Sequence, residues 1–398
     1  MKKLVNITIK QKYAEKMKKG YPLIEKDAVA GRSLSIEEGQ LIRLVDEKQA
    51  FIGIGYHGFQ NKGIGWMLSQ RADERIDAAF FADRIKAAIL HRKVLFDSHD
   101  TTAFRVVNGE GDGLGGVIID YYDGYYVIQW YSKGIYSFRE DILKALQQTV
   151  DYKGIYQKKR FNEKGQYIEE DDFVTGERGT FPLIVKENGV NFAVYLNDGA
   201  MTGIFLDQRE VRKAIRERYA KGTEMLNMFS YTGAFSVNAA LGGAVMTTSV
   251  DVAKRSRAKT NEQFAVNKID GDKQQIVVDD VFQYFKYAVR KERSFDLVVL
   301  DPPSFANTKK RTFSAAKDYT ELLKETISIT KDHGVIVAST NSSAFNMKRF
   351  KQFIQTACKE TNTNYAILEE HSLPGDFRTI RAFPEGDYLK VVFIRIQK

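Results

Sequence analysis

The 398 residues contain one cysteine, Cys358, so no disulfide can form within the chain. Five scattered histidines and a single thiol give no metal-ligand spacing, and no metal is expected. No apolar run approaches the roughly 20 residues that a membrane helix needs. After Met1-Lys2-Lys3, the residues Asn6, Thr8 and Lys10 interrupt what would be the apolar centre of a signal peptide. Secretion by that route is not expected, and a cytoplasmic site is. There is no internal repeat and no low-complexity segment. With 28% charged and 43% hydrophobic residues, the composition excludes a mainly disordered, collagen-like or coiled-coil chain.

Positive charge is present in excess. Sixty lysines and arginines face 51 acids, a net charge of +9, and residues 1–20 hold seven lysines against Glu15 alone. Such an excess fits a polyanionic partner through counterion release, and equally fits a solubilising surface.

At roughly 150 residues per domain, the length suggests two or three domains. Residues 1–67 read as a small β-rich unit. A short helix over 10–20 ends at Gly20 before Tyr21-Pro22, and apolar strands at 39–45 and 50–54 flank the turn Asp46-Glu47-Lys48. Residues 71–190 read as an α+β unit. It opens with a helix near 71–95, continues with strands at 103–108, 117–121 and 125–131, and adds a helix near 137–149 and a strand near 154–158. From 191 to 398 strands and helices alternate. Strands are expected at 225–229, 245–250, 275–278, 295–300, 334–340, 365–369 and 389–396. Helices are expected at 234–241, 256–267, from 281, at 317–331 and at 347–361. Asp207 and Glu210 form a capping-box pattern before an apolar stripe of Val211, Ala214, Ile215 and Tyr219. The alternation predicts an α/β fold with a parallel, doubly wound sheet.

Ligands of such sheets bind beyond the carboxyl ends of the strands, and three ends carry polar motifs. The first is Asn227-Met-Phe-Ser-Tyr-Thr-Gly233, where Gly233 lets backbone approach a ligand. It contains neither G-x-G-x-x-G nor G-x-x-x-x-G-K-[ST], so neither the dinucleotide fingerprint nor a P-loop is met. The second is Asp251, eighteen residues beyond Gly233, where a carboxylate can accept both hydroxyls of a ribose or cap the next helix. Asp279-Asp280 ends the following strand, and Asp280 can accept from an adenine amino group, cap the helix at Val281, or both. The third and sharpest is Asp301-Pro302-Pro303-Ser304-Phe305. The prolines leave carbonyls as acceptors. Asp301 and those carbonyls can hold a planar donor group, and Phe305 can stack on a base.

Together, Asn227–Phe235, Asp251, Asp280 and Asp301–Phe305 resemble the class I S-adenosylmethionine-dependent methyltransferases. Over nearly its whole length the chain resembles, within that superfamily, the ribosomal RNA large-subunit methyltransferase I group. Residues 1–67 are similar to a PUA domain, a small RNA-binding β-barrel. Asn108–Gly116 (Asn-Gly-Glu-Gly-Asp-Gly-Leu-Gly-Gly) is similar to a loop of that family's middle domain, and Gly203–Arg209 to the segment before its catalytic domain. The resemblance implies a Rossmann-like catalytic domain over 191–398, S-adenosylmethionine as cofactor, and RNA, 23S ribosomal RNA above all, as partner. It places Asn227, Phe229, Ser230 and Gly233, with Tyr231 and Thr232 of the same loop, around the methionine part of the cofactor. Gln208 and Arg209 fall near its carboxylate, Asp251 at the ribose and Asp280 at the adenine. Asp301, Pro302, Pro303, Ser304 and Phe305 meet the target base, which an enzyme of this kind extrudes from its stack.

One position departs from that family. Cytosine-C5 methylation uses a thiolate that adds to C6, and the family carries this cysteine after the strand equivalent to 334–340. Here Ser342 stands at the matching place in Ser339-Thr340-Asn341-Ser342-Ser343. Cys358 lies at core spacing with Phe350, Phe353, Ile354 and Ala357, which makes it structural. The related large-subunit methyltransferase K domain, which makes 7-methylguanosine, also lacks the cysteine. Its Asp-Pro-Pro-Thr-Phe-Ser-Asn is similar to Asp301–Asn307, and its Asn-rich loop to Thr340-Asn341. Guanine N7 is already nucleophilic and needs mainly positioning. Methylation at guanine N7 or another base nitrogen is therefore expected over cytosine C5. The other readings are the C5 reaction itself, a non-catalytic RNA-binding assembly protein and a nicotinamide-dependent oxidoreductase. Lys309-Lys310-Arg311 would contact phosphates or form a solvated loop. Arg378 and Arg381 would grip RNA or pair with Asp376 and Glu385.

Overall fold

The structure is a computed structural model that describes residues 4–31, 36–60, 63–161, 167–168, 170–307 and 312–398. Lys309, Lys310 and Arg311 lie outside the described residues. The chain forms two compact units. One comprises Met1–Val185, Tyr195–Thr202 and Gly375–Gly386; the other comprises Lys186–Val194, Gly203–Pro374 and Asp387–Lys398. Among the described residues no helix is long and apolar enough to cross a membrane.

The first unit holds two five-stranded sheets. In one, Leu41–Asp46 and Phe51–His57 pair antiparallel around the expected turn, and Val5–Ile9 lies parallel beside the former. The N-terminal helix Gln11–Lys18 stops where Gly20 adopts φ 97°. Much of its charge is engaged locally. Lys16 pairs with Glu25, Lys18 with Asp46 (2.6 Å), and Lys10 Nζ donates to the Asp27 carbonyl (2.9 Å). The other sheet runs through Phe173–Gly176, Gly154–Lys159, Tyr125–Trp130, Val117–Tyr122 and Ala103–Asn108. The helix Ala78–His91 starts seven residues later than the expected 71, because Asp77 accepts the Ala79 and Phe80 amides and sets its N-terminus. One core contains Tyr56, Trp66, Phe81, Phe104, Ile128 and Phe138.

The second unit is built on seven strands: β1 Glu224–Met228, β2 Met246–Asp251, β3 Gln274–Val278, β4 Phe295–Leu300, β5 Thr330–Thr340, β6 Asn364–His371 and β7 Lys390–Gln397. Their order is β3-β2-β1-β4-β5-β7-β6. The first five are parallel, and the strand order reverses at β1 and β4. The intervening helices are α1 Ala234–Leu241, α2 Ser256–Val266, α3 Val281–Arg290, α4 Ala315–Ser328 and α5 Met347–Glu360. Residues of one parity, such as Leu226, Val298 and Ile336, pack with α3, α4 and α5; Met225, Val299 and Val337 pack on the opposite face with α1.

The sheet is doubly wound as expected, with one antiparallel strand, β7, which runs against both β5 and β6. A parallel neighbour would need a crossover helix between β6 and β7. Residues 372–389 hold only a short 3-10 turn, Pro384–Gly386. The capping box fails. A 3-10 turn over Leu206–Gln208 precedes the helix Arg209–Ala214, Gln208 is the cap residue without a side-chain cap, and Asp207 instead accepts from Tyr388 Oη (2.9 Å).

Candidate active site

Parallel pairing brings the carboxyl ends of β1, β2, β4 and β5 to one edge. Met228 is level with Val250 on one side and Leu300 on the other, and Leu300 is level with Ala338. The next residues, Phe229, Asp251, Asp301 and Ser339, therefore form one row along the rim.

The loop from β1 to α1 is strained. Phe229, Tyr231 and Gly233 have φ of 60°, 52° and 78°. Two non-glycine residues in the left-handed region cost about 1–3 kcal/mol each and persist only where surroundings enforce them. The enforcement is visible. The amides of Ser230 and Tyr231 donate to the Val250 carbonyl (3.0 Å) and to Asp251 Oδ2 (2.9 Å). The Gly233 amide donates to the Ser230 carbonyl (2.8 Å), and Thr232 Oγ1 to the Gly203 carbonyl (2.7 Å). Beneath the loop, buried Asn227 donates through Nδ2 to Ser236 Oγ (3.0 Å), which bonds Ser249 Oγ (2.7 Å). Gly233 has a further reason besides the expected one. A Cβ there would sit 2.5 Å from Thr260 Cγ2 of α2, so the glycine is required by its φ and by α2.

Asp251 links two loops, since its other oxygen accepts the Ala253 amide (2.9 Å). Asp280 caps α3 through the Phe282 (3.0 Å) and Gln283 (3.3 Å) amides, both on Oδ1. Each carboxylate keeps lone pairs for a further donor.

Asp301 forms the second cluster. Its Oδ1 accepts from Ser339 Oγ (2.7 Å) and Gln208 Nε2 (3.2 Å), and Gln208 Nε2 also donates to Ser339 Oγ (2.9 Å). Burial pushes the Asp301 carboxyl up to about 6; the Ser339 and Gln208 hydrogen bonds and Arg212 oppose that rise, and Asp207 adds to it. Tyr319 of α4, fully buried, donates to the Ser339 carbonyl (2.6 Å) and ties the ends of β4 and β5 together. Arg209 is buried beside Gln208, with Nε donating to Glu210 (3.2 Å).

Pro302 is buried, Pro303 is exposed, and Ser304 Oγ donates to Asn341 Oδ1 (2.5 Å), joining the loops after β4 and β5. Phe305 opens a short hairpin, Phe305–Asn307 against Thr312–Ser314, and is 63% exposed. Ser342 is buried in a local turn. Its amide donates to Thr340 Oγ1 (3.3 Å), and its hydroxyl accepts the Ala344 amide (3.4 Å). Cys358 lies inside the α4–α5 core, and burial pushes its thiol up to about 11.

Several residues of this rim escaped the sequence reading. Buried Arg212 forks onto Glu187 (2.7 and 2.6 Å) and donates to the Phe205 carbonyl (2.6 Å), fixing the segment that carries Gln208. Lys390, level with Thr340, is buried, donates to the Tyr388 carbonyl (2.6 Å), and burial lowers its pKa. Ser339 could have been found as the polar residue that ends an apolar strand. Tyr319, Arg212 and Lys390 carry no local signal, because their partners are distant in sequence.

The rim suits a polar ligand. Among the described residues, Gln208 Oε1 and Asn227 Oδ1 are buried acceptors without a partner, a costly condition that a ligand donor relieves. A family model described as S-adenosylmethionine-dependent methyltransferase matches residues 165–381, and one described as a PUA-like domain matches residues 7–70. The Bacillus subtilis protein YwbD, provisionally named as a ribosomal RNA large subunit methyltransferase, is 63% identical over 98% of this chain and 99% of its own. Ribosomal RNA large subunit methyltransferase I of Alteromonas mediterranea is 32% identical over 94% of each chain. The solved structure of SMU.776, provisionally named a methyltransferase and complexed with SAH, superposes with a TM-score of 0.91 at 36% identity, covering 98% of this chain and 100% of that one. These matches remove the nicotinamide-dependent and non-catalytic readings. The chain belongs to the S-adenosylmethionine-dependent methyltransferases, in the group of ribosomal RNA large subunit methyltransferase I.

Proposed function

We propose that this enzyme methylates a base nitrogen of large-subunit ribosomal RNA, N7 of a guanine in 23S RNA. The names of its relatives support an RNA substrate. The observation that carries the choice of atom is Ser342, a buried hydroxyl engaged with its own turn where covalent C5 chemistry needs a thiolate. The one thiol of the chain lies in the core.

S-adenosylmethionine, when bound, supplies an electrophilic methyl group on a sulfonium. The loop Phe229–Gly233 encloses its methionine part above Asn227. The orphan Gln208 Oε1 takes the ammonium, and the Arg209 guanidinium takes the carboxylate. Asp251 accepts the ribose hydroxyls, and the free oxygen of Asp280 accepts the adenine amino group. Asp301 holds the donor edge of the extruded guanine with the backbone carbonyls of Pro302 and Pro303, Ser304 fixes that loop to Asn341, and exposed Phe305 stacks on the base. N7 loses no proton on methylation, so these residues need only orient the base and exclude water. Residues 1–67 and 71–190 bind structured RNA.

Nucleoside mass spectrometry of 23S RNA from cells with and without the protein tests this reading. The expected outcome is loss of one 7-methylguanosine, and of methyl transfer to an RNA carrying 7-deazaguanosine at that site. Loss of 5-methylcytidine instead would sink it.

A further inference from the structure

We propose that residues 375–386, the strap that joins β6 to β7, are an RNA-phosphate clamp presenting Arg378 and Arg381. This deepens the RNA-methyltransferase reading and rests on it. The strap lies wholly within the unit that holds the two five-stranded sheets. It has no strand or α-helix, yet its backbone is fixed along its length. Buried Arg92 donates to the Asp376 carbonyl through Nε (3.0 Å) and Nη2 (2.6 Å), and Asp376 Oδ2 accepts the Arg105 amide (2.9 Å). The Arg105 guanidinium lies 4.2 Å from the Phe377 ring centroid. Asn108 Nδ2 donates to the Arg378 carbonyl (2.9 Å), and a Cβ on Gly111 would fall 1.8 Å from that same oxygen. Phe383 is buried between Tyr21 and Trp66, with ring centroids 5.3 and 5.6 Å away.

The fixed backbone carries two exposed arginines, Arg378 and Arg381. Neither uses the carboxylates that the sequence offered. Asp376 is buried on the Arg105 amide, and Glu385 Oε1 accepts from Tyr21 Oη (3.4 Å). The acid nearest Arg378 is Asp112 at 3.8 Å, beyond hydrogen-bond reach and already neutralised by the Arg92 fork at 2.7 and 2.8 Å. Among the described residues Arg381 has no ion-pair partner. Guanidinium forks match phosphate oxygens, and a held backbone lowers the ordering cost of binding. At the N-terminal helix Lys16 and Lys18 are paired with Glu25 and Asp46 while Lys12 and Lys19 are exposed, and the strap adds two further cations on a held backbone.

The test measures binding of a 23S RNA fragment by the full chain at several salt concentrations, with the substitutions Arg378→Ala and Arg381→Ala combined. The expected result is an affinity loss of about tenfold or more at low salt. The slope of log K against log salt should become shallower by roughly 1.4–1.8, the release of two counterions. Thermal midpoint and S-adenosylhomocysteine affinity should be unchanged, and Arg378→Lys with Arg381→Lys should recover most of the slope. Unchanged affinity and slope in the alanine variant, with rRNA methylation intact, would overturn the clamp while leaving the RNA reading standing. A wild-type chain that binds no ribosomal RNA would overturn both. Loss of binding to anionic phospholipid vesicles, with RNA binding intact, would assign the surface to a membrane and overturn the clamp.

Discussion

At the scale of single residues, Asp301 carries the most specific consequence. In the proposed reading its carboxyl, held near 6 by burial, must be ionised to accept the donor edge of a base. The acid form has no use there, so methyl transfer should rise with pH through about 6 and level off above it. Ser339 Oγ stabilises the charged form (2.7 Å), so its loss moves the pKa up. A hydrogen bond to a charged group is worth about 1.5–3 kcal/mol, and a pH unit corresponds to about 1.4 kcal/mol. Ser339→Ala should therefore shift the acid limb of kcat/KM upward by about one unit or more, with cofactor affinity little changed. A limb that stays in place would show that Asp301 does not titrate in the productive complex. The place of Asp301 on the rim was legible in the sequence, because it directly follows the apolar strand 295–300. The Gln208–Ser339 support was not legible. It joins positions 93 and 131 residues apart, and only the strand order brings them together.

Among the elements, those with local determinants were readable and those made by long-range pairing were not. Helix α1 and strand β4 match their expected spans, since apolar stripes and the stop at Gly242 define them. The direction of β7 was hidden, because strand polarity is decided by the connection before it and not by its own residues. The short hairpin that begins at Phe305 was missed for a similar reason, three residues per strand being too few to show alternation. Gly233 shows how an element can impose a residue on the site. A side chain there meets Thr260 of α2 and must adopt φ 78°. Strain of about 1–2 kcal/mol and overpacking of about 1–3 kcal/mol add, so Gly233→Ala should lower stability by roughly 2–5 kcal/mol in denaturant titration. Thr260→Ala in the same chain should return the packing share only. If Gly233→Ala unfolds at the wild-type midpoint, the α1–α2 packing described for this loop is wrong.

On the scale of the whole molecule, the chain passes between its two units five times, at 185/186, 194/195, 202/203, 374/375 and 386/387. A cut at a single boundary therefore cannot deliver either unit complete. The proposed catalytic domain 191–398 contains the strap 375–386 but none of Arg92, Arg105, Asn108, Tyr21 and Trp66, which hold it. In that fragment Phe377 and Phe383 lose their pockets and the backbone at Arg378 loses its donor. The consequence reaches the sheet, because β7 follows the strap directly and sits between β5 and β6. Proteases need a locally extended, released backbone rather than an exposed side chain alone. Trypsin should accordingly cleave the 191–398 fragment after Arg378 or Arg381 at least about tenfold faster than the full chain, where opening of the strap limits the rate. Mass spectrometry of the early products identifies the bonds cut. Equal rates at these two bonds in fragment and full chain would mean that the strap folds without the partners given it here, and that the clamp's arginines are not held in advance of RNA.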